Sequence, residues 1–228
     1  MEALVSEIQE GLNVQTAFTI PVFGGIDVTE TVVVMWIIMA VMVIGAFLLT
    51  RNLKVTNCSK KQLLLESAFS WLYNFFYDLL GERGKSYIPY LITIISFIGM
   101  ANIFGIFGVK PPTKDLTMTG ILSIFTIVLV QIAAVRARGT KGWLKSFVEP
   151  VPVVAPINIL ELGIKPLSLC MRLFGNVLGA FVIMELIKAV VPIVFPTFMS
   201  LYFDFFDGCI QAYVFAFLTA LYLKEAVE

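Results

Sequence analysis

The sequence contains no histidine, which removes the commonest general base, the commonest metal ligand and the side chain that ordinarily titrates near neutrality. Zinc proteases of the HExxH type and serine–histidine hydrolases are excluded on inventory alone. Charge is scarce, at 14% of residues, and sixteen basic side chains cancel sixteen acidic ones. No global field exists to recruit nucleic acid or an acidic partner. The three cysteines, Cys58, Cys170 and Cys209, are scattered and form no C-x-x-C pair, so neither a disulfide framework nor a zinc cluster is expected. No GxxxxGK[ST] loop is present, so no nucleotide is expected to bind. The opening "MEALVSEIQEGLN" carries no basic stretch ahead of an apolar one and is unlike a cleaved signal peptide. The first membrane span is therefore expected to direct insertion itself.

What the sequence does contain is apolar length. Hydrophobic residues make up 59% of the 228, with a mean hydropathy of +0.92, a membrane composition. Spans are expected over about 31–49, 87–109, 120–135, 157–191 and 198–223, each judged against the roughly 20 apolar residues a spanning helix needs. Residues 62–80 keep Glu66, Asn74 and Asp78 among aromatic and aliphatic side chains. They read as a helix lying in the membrane interface, with a deeper helix or hairpin as the alternative. Thr117 or Thr119 is expected to cap the helix after the "KPPTKD" turn, and Pro150, Pro152 and Pro156 mark a break before the long helix.

Eleven of the sixteen basic residues fall in loops assigned to one side: Arg51, Lys54, Lys60, Lys61, Arg83, Lys85, Arg136, Arg138, Lys141, Lys145 and Lys224. By the positive-inside rule that side is cytoplasmic. The N-terminal segment, 1–30, is then extracytoplasmic, and the C-terminus is cytoplasmic. The expectation is an all-α, polytopic membrane protein with about five membrane helices plus an interfacial helix, forming one membrane domain over 31–228.

Within the longest run stands "LSLCMRLFGN". An arginine at the centre of a membrane helix costs about 2.5–3.5 kcal/mol on insertion scales, so Arg172 needs compensation. At about 100° per residue, Ser168, Arg172 and Asn176 share one helix face. Glu161 and Lys165 precede them at the same spacing, where they read equally as a plain salt pair. Glu185 lies on the opposite face. On the last helix Asp204, Asp207 and Gln211 fall within about 60° of one another. Lys188 and Asp207 read more simply as groups reaching water near the outer end. Arg172 has a pKa above about 12 and cannot relay protons; it is a fixed positive charge. If no acid of this chain shares its face at its depth, the counter-charge comes from another subunit. A carboxylate leaving it for lipid must first be neutralised by a proton or an ion. A stand-alone secondary transporter, with Arg172 binding an anion, is the alternative, although the inverted repeats that favour it are not evident. An intramembrane hydrolase lacks a convincing nucleophile–base pair.

"KPLSLCMRLFGN", "DFFDGCIQAYVFAFLTALYL" and "PPTKDLTMT" together resemble subunit a of the F-type ATP synthase. "ITIISFIGMANIFGIFG" is also similar, and "TVVVMWIIMAVMVI" weakly so; the resemblance covers most of the chain beyond about Thr29. It implies that the last two helices form a long tilted hairpin against a ring of c subunits. Arg172 then matches the essential arginine that separates two aqueous half-channels, with Asn176 one turn on and Gln211 approaching it from the final helix. Asp204 matches an acid or histidine site of the outer half-channel, and Ser168 a small polar residue toward the inner one. Many relatives carry an acid or histidine where this chain has Phe181, and Glu185, one turn later, is the substitute. Asp207 stands where the family is usually apolar. Ions are expected to enter past Glu185 and Asp204 and to leave near Ser168 and Glu161, with Asp207 and Lys165 as further candidates. The implied partners are the c-subunit ring, the peripheral-stalk b subunits, the rest of the complex and membrane lipid. No cofactor and no catalysis by this chain are expected.

Overall fold

The computed structural model describes residues 16–20, 26–51, 53, 59–107, 111–147, 155–190, 199 and 201–227. The expectations for 1–15, for Lys54, and for the prolines at 150, 152, 192 and 196 lie outside them. The elements in chain order are β1 (Thr16–Ile20), β2 (Ile26–Thr29), α1 (Glu30–Thr50), α2 (Lys60–Gly84), α3 (Ile88–Ile103), α4 (Leu116–Ser146), α5 (Ala155–Val190) and α6 (Gly208–Val227). A π-helix, Leu201–Asp207, leads into α6, and single 3-10 turns follow α2 and precede α4. Among the described residues five helical segments are long and apolar enough to cross a membrane, α2 and α3 counting as one of them. The protein is a multi-pass, essentially all-helical membrane protein.

α1 forms because nineteen of its residues, Thr31 to Leu49, carry no charge, and a helix satisfies every backbone group internally where lipid cannot. α2 starts at Ser59, whose hydroxyl accepts from the Gln62 N–H at 3.3 Å, satisfying one of the orphan donors of the first turn. It breaks at Gly81, with φ of 66° and ψ of −170°, a backbone region essentially reserved for glycine. That break lets α2 and α3 both reach α6.

Sequence and structure differ at several places. The N-terminal region carries an antiparallel hairpin, β1 against β2 with Thr16 opposite Thr29 and Ile20 opposite Ile26. Its β-branched residues suit a strand, but it is too short to compete with the helical signal that follows. The cap of α4 is Asp115, not Thr117 or Thr119: its carboxylate accepts from the Thr117 N–H at 2.9 Å. α4 continues through "RARGTKGWLKS", so the basic stretch beyond residue 135 is helical and not a loop, with a kink at Gly139 (φ 72°, ψ 162°). Pro156 sits in the first turn of α5, where its missing N–H costs nothing.

α6 is the central element. Gly208, Ala212, Ala216 and Ala220 recur every four residues and are all buried, a small-residue stripe that lets neighbouring helices approach closely. Gly99 of α3 faces it, since a Cβ there would meet Ala212 Cβ at 3.8 Å. Phe76, Leu91, Ile98, Val130, Leu169, Leu173, Phe215 and Leu223 are among the larger side chains of the buried core around it. Leu169 and Leu173 are the only contributions of α5 to that buried cluster among the described residues. Polar groups inside are paired: no buried side-chain nitrogen or oxygen among the described residues lacks a hydrogen bond, and each such orphan would cost about 1–3 kcal/mol.

Candidate functional site

α5 has 36 residues, about 54 Å at 1.5 Å per residue, well beyond the hydrocarbon thickness of about 30 Å. It therefore tilts or runs partly along the membrane. Leu169, Cys170 and Leu173 are buried against the rest of the chain, whereas Leu167, Met171, Arg172, Gly175 and Asn176 are exposed. Leu167 is 60% and Met171 52% exposed, so a broad apolar face with Arg172 in it has no cover from the described residues. Ser168 is half-buried at the edge of the face. Among the described residues Arg172 makes no hydrogen bond and no ion pair. The compensation demanded by a charge in an apolar helix is not supplied by the described part of this chain.

At one end of α5 the pair anticipated from spacing is present: Lys165 Nζ lies 3.6 Å from Glu161. It is also held at 3.0 Å by each carboxylate oxygen of Glu225 from α6. Arg138 of α4 donates to the Glu225 carbonyl at 2.7 Å. These side chains border a cavity of about 270 Å³ between α4, α5 and α6, which Gln131, Trp143, Asn158 and Tyr222 also line. Trp143 Nε1 donates to Gln131 Oε1 at 2.8 Å, and Asn158 Nδ2 to the Phe147 carbonyl at 3.0 Å. The cavity mixes both charge signs with neutral amides and suits water and a small ion.

Past Arg172, toward the other end of α5, Glu185 accepts from Lys188 at 2.8 Å and is largely shielded. Lys114, in the 3-10 turn before α4, stands 2.9 Å from the centroid of the Phe181 ring, a cation over an aromatic face. On the last helix Gln211 is only 7% exposed and its amide donates to Asp207 at 3.5 Å. No bond joins Gln211 to Arg172 among the described residues. Asp204 lies in the π-helix, whose i→i+5 bonding turns each residue through less than the 100° of an α-helix. The hydrogen bond places Asp207 and Gln211 on one face of the last helix.

Residues missed in the sequence include Gln131, Trp143, Asn158 and Glu225 around the cavity, and Asn102. The signal for Gln131 and Asn102 was there to be used, a lone amide inside "IVLVQIAAV" and "IGMANIFG". Glu225 meets Lys165 across sixty residues of chain, a separation no local pattern encodes.

The family described as "ATP synthase A chain" matches residues 32–224. An "ATP synthase subunit a" of Moorella thermoacetica is 37% identical over 206 residues, covering 90% of this chain and 94% of its own length. An "ATP synthase subunit a 1" of Crocosphaera subtropica is 32% identical, covering 89% of each chain. An "ATP synthase subunit a, sodium ion specific" of Propionigenium modestum is 32% identical, covering 89% of this chain and 75% of its own.

Proposed function

Since the chain belongs to the ATP synthase A chain family, we propose that it is the non-catalytic, ion-translocating stator subunit of an F-type ATP synthase, with Arg172 as the gate between two half-channels. The observation that carries this reading is the position of Arg172: a permanent cation on the uncovered face of α5, without an acid of its own chain among the described residues. A ring of c subunits on that face supplies acids that are held ionised beside the guanidinium and must be neutralised before they turn into lipid.

In this mechanism ions enter from the outer side past Glu185 and Asp204, with Asp207 and Gln211 shaping the path. They neutralise a ring carboxylate that Arg172 has released. After rotation they leave by the inner side near Ser168, through the cavity bordered by Glu161 and Lys165. Asn176, one turn from Arg172 on the same uncovered face, lies against the ring. One charge crossing 100 mV yields about 2.3 kcal/mol, so several ions are pooled through rotation for each ATP. The placement of eleven basic residues supports a bacterial plasma-membrane protein with an extracytoplasmic N-terminal segment at 1–30, one membrane domain after it, an interfacial α2 and a cytoplasmic C-terminus. The peripheral-stalk b subunits and lipid cover the remaining apolar surface.

The test is Arg172→Ala in the assembled complex. Ion-driven ATP synthesis in membrane vesicles is lost while the amount of complex is unchanged; retained synthesis contradicts the gate.

A further inference from the structure

The last helix changes its winding where another helix holds it. The π-helix ends at Asp207 and α winding begins at Gly208. Gly208 is buried, and a Cβ there would fall 2.7 Å from Asn102 Cβ, so the backbones of α3 and α6 meet at a distance only glycine permits. Asn102 is 4% exposed, and both ends of its amide are used. Nδ2 donates to the Gly208 carbonyl at 3.1 Å, and Oδ1 accepts from the Thr113 hydroxyl at 2.7 Å. Thr113 belongs to the 3-10 turn whose next residue, Lys114, rests on Phe181 of α5. A single buried amide thus ties α3, the turn and the π-to-α switch together.

π-winding is rare and persists where surrounding contacts fix it. Sliding the switch by one residue would turn Asp207 and everything before it relative to Gln211. We propose that Asn102 is a positioning residue: by holding Gly208 it sets the residue at which the last helix changes winding, and so keeps the Asp207–Gln211 pair aimed along the ion path. The pinning stands on the geometry alone; what the pair is for rests on the stator reading above.

The test uses the whole membrane complex with Cys58, Cys170 and Cys209 replaced by serine, and compares maleimide labelling of Phe206→Cys with that of Phe203→Cys. Phe206 is exposed and Phe203 half-buried, so position 206 labels faster when Asn102 is present. Asn102→Ala is expected to bring the two rates together or reverse them, and, without the cysteine changes, to lower ion-driven ATP synthesis by about tenfold to a hundredfold at unchanged complex content. Asn102→Asp, which keeps the acceptor for Thr113 and loses the amide donor, gives the same pattern and stands in if the alanine variant fails to assemble. An unchanged labelling order in both variants overturns the pinning. A changed order with wild-type synthesis overturns the positioning role. Arg172→Ala with synthesis retained sinks the stator reading and leaves the labelling outcome intact.

Discussion

The ammonium of Lys114 lies 2.9 Å from the centroid of the Phe181 ring, so the turn before α4 places a cation on the position where the family resemblance leads one to expect an acid or a histidine. A carboxylate introduced there meets that cation first. Phe181→Glu is therefore expected to pair with Lys114 and to leave ion uptake from the outer side little changed. Phe181→Glu combined with Lys114→Met frees the acid and raises the rate. Ion-uptake rates in oriented vesicles distinguish the two; a single variant as fast as the double one contradicts the pairing.

Asp207 is engaged by Gln211 at 3.5 Å, so its carboxylate already has a partner within the chain. Asp204→Asn is expected to slow uptake from the outer side more than Asp207→Asn does. Equal initial rates for the two variants remove this ranking.

The break at Gly81 depends on its backbone and not on space. A Cβ there meets nothing within 4 Å, yet φ of 66° with ψ of −170° costs a side-chain-bearing residue on the order of 1–3 kcal/mol. Gly81→Ala should lower the temperature at which the complex loses its coupled activity on heating. Gly45→Ala, in regular helix with equally open space, should not lower it. Identical heat-inactivation curves for Gly81→Ala and wild type would show that the bend is not held at this residue.

The apolar runs made the helices legible because length and hydropathy alone decide whether a segment can cross lipid. The 3.6-residue period places Ser168, Arg172 and Asn176 on one side of α5 whatever packs behind them, but the exposure of Arg172 and Asn176 there depends on how the other helices pack. What the pattern did not carry depends on tertiary contact or on local backbone choice. The π-winding of Leu201–Asp207 has no composition that separates it from α-helix. The continuation of α4 beyond residue 135 was hidden because its Arg and Lys side chains read as loop, although basic residues are favourable helix formers. The buried role of Asn102 and the link from Lys165 to Glu225 join residues far apart in sequence, and only folding brings them together.

The most direct test of the central claim asks what stands opposite the guanidinium. Cysteines at Met171 and Asn176, on the uncovered face, and at Leu169, 1% exposed on the buried one, are each paired with a cysteine beside the membrane carboxylate of the c subunit in the native complex, and disulfide formation is measured. The account predicts cross-linked a–c product from Met171→Cys and Asn176→Cys and none from Leu169→Cys. Intact complex with no product at either exposed position would place Arg172 away from the ring and contradict it.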